Sequence, residues 1–284
     1  MNITKANNLS CPIDGEKLEQ SGKQLVCQSG HSFDIAKQGY IHLLPVQDKR
    51  SKQPGDSKAM VVARKEFLDS GFYKPVAEKL VSTVTGLLQG DAACILDAGC
   101  GEGYYLNTVL NSLRQIDSIS SLSLIGVDIS KDAVIQSSKR SKEISWIVGT
   151  NRKLPVEDAS VDIILCLFGF VCVDAFLQVL KPGGKLILVD PGLGHLKELR
   201  EIIYPQVKNA NQSDQSETEL PGFVRLSKES LQFKEKIRGN DLIKNLLIMT
   251  PHFYRASQQG REVACNLTEL DLSVDVIFRV FEKQ

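Results

Sequence analysis

The stretch ILDAGCGEG, residues 95–103, decides the fold, because an apolar run leads directly into three alternating glycines. Glycine suits a loop in which the backbone turns sharply and a ligand approaches without a Cβ in the way. The helical pattern of Tyr104–Leu113 follows at once, so the order is strand, glycine loop and helix. In an open α/β sheet such a loop lies at the carboxyl end of a strand, where ligands bind. The stretch therefore predicts a cofactor site at one edge of a sheet.

Short apolar runs alternate with helical stretches over most of the chain. Helical patterns in Met60–Leu68, Pro75–Leu88 and Lys131–Arg140 predict three further helices. The predicted strands are Cys94–Ala98, Leu122–Asp128, Ile144–Val148, Val161–Phe168, Lys185–Asp190, Lys244–Met249 and Leu270–Arg279. The early runs are apolar throughout, as expected of parallel strands that are buried on both faces. The alternation predicts an α/β fold with a Rossmann-like, mostly parallel central sheet.

The spacing of the glycine loop distinguishes two classes of cofactor. A dinucleotide fingerprint reads Gly-x-Gly-x-x-Gly, whereas Gly103 comes one residue early. Asp97 before the loop and Glu102 within it would repel a pyrophosphate, and they suit the cationic amino acid end of S-adenosylmethionine. Asp128 ends the next strand, where a carboxylate can accept hydrogen bonds from ribose hydroxyls. We predict S-adenosylmethionine contacts at Asp97, Gly99, Gly101, Glu102 and Asp128, with NAD as the main competing ligand.

A group of cysteine, histidine and aspartate residues lies near the start of the chain. Cys11, Asp14, Cys27 and His31 follow the spacing of a structural zinc site, with the aspartate at the second ligand position. A carboxylate oxygen can bind zinc, although soft thiolates favour the metal more. The spacing alone fits both a zinc site and a module that has lost its metal and is held by packing.

The charge of the chain is uneven although its sum is zero. The 284 residues contain 34 Lys and Arg and 34 Asp and Glu, which argues against a globally basic nucleic-acid-binding protein. Residues 1–74 hold 11 basic and 8 acidic side chains, and the excess is densest from Lys37 to Lys65. By its charge alone, such a segment is best read as a solvated loop.

Neither a membrane span nor a signal peptide is predicted. The longest uncharged apolar stretch, Ile163–Val173, falls far short of the ~20 residues that a bilayer requires. Seven cysteines, an odd number scattered along the chain, argue against a secreted disulfide framework. We therefore expect a cytoplasmic protein, with neither a membrane nor DNA as a partner.

Several motifs together resemble one family. They are Cys11, Cys27-x-x-x-His31-x-Phe33-Asp34, Gly39-Tyr40-x-x-Leu43-Leu44-Pro45, Pro54-Gly55-Asp56-Ser57, Phe67-Leu68-Asp69-x-Gly71-x-Tyr73, Asp97–Tyr105, Lys181-Pro182-Gly183-Gly184 and His195-Leu196-x-Glu198-Leu199. In this combination the chain closely resembles the bacterial 23S rRNA (guanine-N1)-methyltransferases, some of which confer macrolide resistance. The resemblance covers nearly the whole chain, and the amino-terminal motif is its most specific part.

The resemblance implies an organisation and an activity. It implies a small zinc-ribbon-like module at residues 1–45, a basic linker with helices at 46–90, and a class I methyltransferase domain at 91–284. It implies transfer of a methyl group from S-adenosylmethionine to guanine N1 in a 23S rRNA hairpin, bound in the cleft of a homodimer. The family's cofactor contacts would fall on Tyr73, Gly101, Glu102 and His195. Its zinc ligands would fall on Cys11, Cys27 and His31. With an RNA substrate implied, the basic segment becomes a candidate surface for RNA phosphates, and we predict RNA contacts at Lys49, Arg50 and Lys52.

Two positions depart from the family pattern. Asp14 replaces a cysteine, and Gly169-Phe170-Val171 replaces an Ala-Pro-Cys segment that borders the methyl-transfer pocket in class I folds. These departures leave two alternatives open: a small-molecule methyltransferase, and an RNA-binding protein with a vestigial cofactor pocket.

The proton step has two candidate residues. Methyl transfer requires mainly orientation, and guanine N1 must also lose its proton. Asp190 and His195 are the candidates for that step, with cofactor contact alone as the competing role for His195.

Overall fold

A nine-stranded, mostly parallel sheet forms the centre of the computed structural model, which describes residues 1–49, 51–116, 119–204 and 219–284. The strands are β1 Asn2–Thr4, β2 Glu19–Ser21, β3 Gln24–Val26, β4 Ser32–Asp34, β5 Ile41–His42, β6 Ala92–Ala98, β7 Ser121–Asp128, β8 Ser145–Val148, β9 Val161–Leu167, β10 Leu180–Pro191, β11 Phe223–Arg238 and β12 Glu269–Lys283. The helices are α1 Lys58–Asp69, α2 Lys74–Leu87, α3 Tyr104–Leu113, α4 Lys131–Arg140, α5 Val173–Val179, α6 Lys197–Ile203, α7 Asn240–Ile248, α8 His252–Arg255 and α9 Gln258–Asn266. Within the described residues, none of these helices has the length and apolar character needed to cross a bilayer.

The strand order determines where the carboxyl ends of the strands meet. It runs β11, β12, β10, β9, β6, β7, β8 and β5, with β1 beside β7. Strands β6 to β10 pair in parallel, and β12 is antiparallel to both of its neighbours. Chain order reverses at β6, and the crevice beside such a switch point is where ligands bind in open α/β sheets. The predicted Rossmann-like α/β fold is confirmed.

Both faces of the sheet are covered by apolar layers. Leu80 of α2 and Leu106 of α3 belong to the layer on one face. Phe176 of α5 and Leu9 of the amino-terminal module belong to the layer on the other. The central strands are therefore buried from both sides, which explains their uninterrupted apolar sequences.

The amino-terminal module is built partly into the central sheet. Strands β2, β3 and β4 form a separate antiparallel sheet of three strands within the described residues. In contrast, β5 pairs in parallel with β8 and β1 pairs in parallel with β7. The predicted domain boundaries at residues 45 and 90 stay predictions.

The prediction of a strand at Lys244–Met249 is wrong, because most of this segment belongs to α7. Ile243, Leu246 and Leu247 are its buried residues. Their spacing places them on one side of a helix, where they pack against the core. A run this short is apolar enough to fit either structure.

Candidate cofactor and active site

A cavity of about 950 Å³ opens at the carboxyl ends of β6, β7, β9 and β10. Its volume is at the upper end of the range typical of small-molecule sites. All the residues predicted for the cofactor and for catalysis line it: Tyr73, Asp97, Gly99, Gly101, Glu102, Asp128, Asp190 and His195. The fold thus brings together residues that are as much as 122 positions apart in the chain.

The glycine loop is fixed by backbone contacts to β7. The N–H groups of Gly99 and Cys100 both donate to the carbonyl of Val127, at 2.8 and 3.0 Å. Gly103 has a φ of 86°, and a Cβ there would lie 2.8 Å from both Trp146 and Ser137. The third glycine therefore allows α3 to pack closely on the sheet, while the first two line the cavity.

Asp128 is held rigidly at the end of β7. One carboxylate oxygen accepts from the N–H of Gly101 at 2.9 Å, and the other accepts from the N–H of Ser130 at 2.7 Å. A carboxylate has about four acceptor positions, so this carboxylate can accept two more hydrogen bonds. This geometry suits a pair of ribose hydroxyls.

Asp97 places a buried carboxyl group at the floor of the cavity. It is 2% exposed, and burial, together with the nearby carboxylate of Asp128, raises the pKa of Asp97 to about 8. Both effects penalise the ionised carboxylate. A ligand cation placed beside it would relieve that penalty.

Glu102 has a partner that the sequence did not indicate. Its carboxylate is buried and forms an ion pair with Arg140 of α4, which also contacts Asp69 at 2.8 Å. The Nε of Arg140 donates to the backbone carbonyl of Glu102 at 3.0 Å. The side chain of Glu102 is therefore already engaged in an ion pair that ties the glycine loop to α4 and α1.

His195 is neutral and oriented by two contacts. Its Nδ1 accepts from the backbone N–H of Asp275 at 3.3 Å, so Nε2 carries the proton and donates to the Tyr73 hydroxyl at 3.2 Å. Burial lowers the pKa of His195 to about 4. Because both ring nitrogens are engaged, this arrangement suits positioning better than proton abstraction.

Asp190 lies at the end of β10 and lines the same cavity. Its carboxylate forms an ion pair with Arg279, a buried residue of the adjacent strand β12. Neither Arg279 nor Arg140 was predicted from the sequence, because each is distant in the chain from its partner and belongs to no local motif.

Two further cavity residues were missed. Arg64 of α1 forms an ion pair with Asp56 and donates to the Met249 carbonyl at 2.9 Å. The Tyr105 hydroxyl is buried and has no hydrogen-bond partner among the described residues. Two motifs of the sequence could have pointed to them: Pro54-Gly55-Asp56-Ser57, which contains the partner of Arg64, and Asp97–Tyr105, which ends in this tyrosine.

The four predicted metal ligands converge in the amino-terminal module. The ligand atoms of Cys11, Asp14, Cys27 and His31 all lie within 4.8 Å of one another. His31 Nδ1 is 3.6 Å from Cys11 Sγ and 3.4 Å from Cys27 Sγ. Cys27 Sγ is 3.4 Å from Asp14 Oδ2. Four donors are therefore grouped around one point.

Comparisons with known proteins place the chain in a family. A zinc-ribbon model described as "RlmA, N-terminal" matches residues 9–52, and a model described as a methyltransferase domain matches residues 95–184. A Micromonospora griseorubida protein, provisionally named a 23S rRNA (guanine-N1)-methyltransferase, is 32% identical over 210 residues, which are 68% of this chain and 68% of that protein. The chain belongs to the 23S rRNA (guanine-N1)-methyltransferase family.

Two longer matches are to other relatives with the same kind of name. The 23S rRNA (guanine(748)-N(1))-methyltransferase of Streptomyces fradiae is 29% identical over 279 residues, or 96% of this chain and 95% of its own. YxjB of Bacillus subtilis strain 168, also provisionally named a 23S rRNA (guanine-N1)-methyltransferase, is 28% identical over 273 residues, or 94% of each chain.

The donor set fits the zinc that this family's amino-terminal model implies. Tetrahedral zinc with bonds of about 2.3 Å to sulfur and 2.0 Å to nitrogen or oxygen separates such ligand atoms by about 3.5 Å. The three sulfur contacts, at 3.4 to 3.6 Å, agree with that spacing, and the same distances also suit hydrogen bonds to sulfur. His31 Nδ1 and Asp14 Oδ2 are 2.7 Å apart, which is closer than two zinc ligands and matches a hydrogen bond. Zinc binding would lengthen this one contact.

The predicted RNA-contact segment lies outside the cavity lining. Lys49 follows a short 3₁₀ turn at Val46–Asp48, Lys52 is exposed, and Arg50 lies outside the described residues. The pKa of His42 is lowered by burial and then by the positive charges of Lys49 and Lys131. Basic side chains from two distant segments are therefore both close enough to His42 to affect its charge.

Proposed function

We propose that this protein transfers the methyl group of S-adenosylmethionine to N1 of a guanine in a 23S rRNA hairpin. The observation that carries the proposal is the single cavity that joins the acidic glycine loop to Asp190 and His195 in a member of this family. The Streptomyces fradiae relative carries the name of the same reaction.

Several of the chain's own cavity residues would hold the cofactor. When bound, S-adenosylmethionine supplies an electrophilic methyl group on a sulfonium sulfur. Asp128 would accept the ribose hydroxyls, and Asp97 would face the ammonium group. Tyr73 and His195, joined by a hydrogen bond, would form one wall of the site. Orientation of the two reactants is the main catalytic contribution in such a displacement.

Asp190 is our proposed acceptor for the guanine N1 proton. Glu102 and Asp190 are each paired with an arginine, so the position of Asp190 in the cavity, and not freedom from partners, supports this role. Asp190 lies on β10, two strands from the glycine loop on β6, and therefore on the side of the crevice away from the proposed ribose position. The Arg279 guanidinium orients its carboxylate.

The amino-terminal module would serve RNA binding. Zinc held by Cys11, Asp14, Cys27 and His31 would crosslink a segment whose own sheet is small. Phosphate contacts from Lys49, Arg50 and Lys52 would supply affinity without sequence information. We further propose that the protein acts in the cytoplasm as a homodimer. Sedimentation analysis of the purified protein tests the dimer.

A single labelling experiment tests the activity. The purified protein is incubated with methyl-labelled S-adenosylmethionine and 23S rRNA, and the digested nucleosides are separated. We expect label in 1-methylguanosine. Asp190→Asn should lower kcat by about 10²- to 10⁴-fold, the usual contribution of a general base. Bound cofactor without label in the RNA would overturn the proposal, and unchanged turnover of the variant would exclude Asp190 as the base.

A further inference from the structure

An exposed aromatic segment borders the cavity at the carboxyl end of β9. Phe168 and Phe170 both line the cavity, and they are 41% and 59% exposed. Large apolar side chains that meet solvent at the mouth of a binding cavity indicate a surface for a ligand or partner. The cofactor contacts described above do not use Phe170.

The segment is held in a defined conformation. Phe168 has a φ of 52°, which is unfavourable for a side chain other than glycine, and its N–H donates to the Val189 carbonyl at 2.8 Å. Asn151 Nδ2 donates to the Phe170 carbonyl at 3.0 Å. Strained backbone persists where its surroundings fix it, and such sites are concentrated at ligand contacts.

Close packing places this segment beside the glycine loop. A Cβ on Gly169 would lie 3.3 Å from the Ala98 carbonyl, and a Cβ on Gly99 would lie 4.0 Å from the Gly169 Cα. The two loops are therefore in near contact. A planar ligand against Phe170 would lie next to whatever occupies the glycine loop.

The two phenylalanines have different surroundings. The Phe168 ring stacks on Tyr73 and on His195, with centroids 6.4 and 6.0 Å away, so it belongs to the wall of the cofactor site. The Phe170 ring packs against Arg152, whose guanidinium carbon lies 5.1 Å from the ring centroid. Arg152 is exposed, and among the described residues no carboxylate forms an ion pair with it. Phe170 therefore presents an accessible ring beside an exposed guanidinium.

We propose that Phe170 is the stacking platform for the extruded target guanine, and that Arg152 contacts an adjoining phosphate. This inference rests on the proposed function. Guanine N1 is on the Watson–Crick edge, so the base must leave its pair before it reacts. Unpaired bases in protein–RNA complexes stack on aromatic rings and on arginine guanidinium planes. Phe170 also lies in the segment where this chain departs from the family's Ala-Pro-Cys pattern.

Turnover of Phe170 variants provides the first test. Phe170→Ala should lower kcat/KM for methyl transfer to 23S rRNA by about 5- to 150-fold, the range for one lost base stack. Phe170→Trp should restore most of that activity, because an indole also stacks. Leu226→Ala is a matched control, since Leu226 is 49% exposed but lies outside the cavity lining. The dissociation constant for S-adenosylmethionine, measured by calorimetry, should be unchanged in all three variants.

Fluorescence provides a test that does not depend on turnover. The chain contains a single tryptophan, Trp146, which is buried. The indole introduced by Phe170→Trp should therefore add an exposed emission that a 23S rRNA transcript quenches on binding, while wild-type emission changes little. Quenching without methyl transfer by any variant would refute the proposed function and still support the platform. Full turnover by Phe170→Ala, or no quenching of the Phe170→Trp indole by bound RNA, would overturn the platform.

Discussion

The pH dependence of cofactor binding should follow the ionisation of Asp97. This carboxyl group is buried at the cavity floor, and its pKa in the free protein is about 8. The ammonium group of S-adenosylmethionine should bind the ionised form. Affinity should therefore rise as the pH approaches 8, and it should fall above that pH as the ligand ammonium, with a pKa of about 7.8, loses its own proton. Asp97→Asn should remove the rising limb.

The magnitude follows from the two pKa values. With a pKa of about 8, Asp97 is about 1% ionised at pH 6 and half ionised at pH 8. After allowing for partial deprotonation of the ligand, the dissociation constant should be about 20-fold weaker at pH 6 than at pH 8. Isothermal calorimetry in matched ionic strength measures this ratio, and in buffers of different ionisation enthalpy it also measures the proton that Asp97 releases.

The stability of the cofactor-free protein should fall over the pH range in which cofactor affinity rises. A raised carboxyl pKa means that the folded state binds this proton more tightly than the unfolded state, so stability is lost as the pH rises from about 4 to about 8. Between pH 5 and pH 8 the free energy of unfolding of the wild type should fall by about 4 kcal/mol, at about 1.4 kcal/mol per pKa unit. The free energy of unfolding of Asp97→Asn should not show this fall. Urea denaturation without cofactor at both pH values measures the difference.

The combination of the two results distinguishes a binding role from a structural one. The variant should be more stable than the wild type at pH 8 and yet bind the cofactor less tightly. A wild-type dissociation constant that is flat between pH 6 and pH 8, with no proton released on binding, would refute the reasoning. Unchanged cofactor affinity in Asp97→Asn would refute it equally.

Three further perturbations test other parts of the molecule. Arg140→Ala leaves the buried carboxylate of Glu102 without its partner and should lower the free energy of unfolding by about 3–5 kcal/mol, measured by chemical denaturation. A variant as stable as the wild type would show that the pair is not buried as described. Replacing Lys49, Arg50 and Lys52 with glutamine should make the plot of the logarithm of the RNA association constant against the logarithm of the salt concentration less steep, by about 2 to 3 in slope. Cofactor affinity should stay constant. An equal loss of both affinities would contradict the proposed RNA contacts. Asp14→Cys should raise zinc affinity, because a thiolate replaces a carboxylate; less than a tenth of an equivalent of zinc in the purified wild type would exclude its ligand set.

Local patterns were enough to predict much of the site. The apolar run before Asp97, the glycine spacing and the helix after it each depend on neighbouring residues, so the strand, the loop and α3 could be predicted from sequence. The predicted bounds of α3, Tyr104–Leu113, agree with the structure. Asp128 was predicted because it ends the next parallel strand, and carboxyl ends of parallel strands meet at one edge.

Segments that depend on distant partners were predicted poorly. Strand β11, Phe223–Arg238, is mostly exposed and rich in charge, and it is a strand because it pairs along its length with β12. Helix α7 was mistaken for a strand because its short apolar run fits a strand as well as a helix. For β11, the tertiary contact with β12, which no local window contains, stabilises the element.

The sequence alone was enough to predict the fold class, the type of cofactor loop and the eight cavity residues proposed for the cofactor and for catalysis. The role of each carboxylate depends on the tertiary structure, because the environment of a charged group is set by what the fold places around it. The tertiary structure paired Glu102 with Arg140 and Asp190 with Arg279, buried Asp97 so that its pKa lies near 8, and left Phe170 exposed beside Arg152. Residue identity fixes which groups can ionise or stack, and burial and partners fix which of them remain available to a ligand.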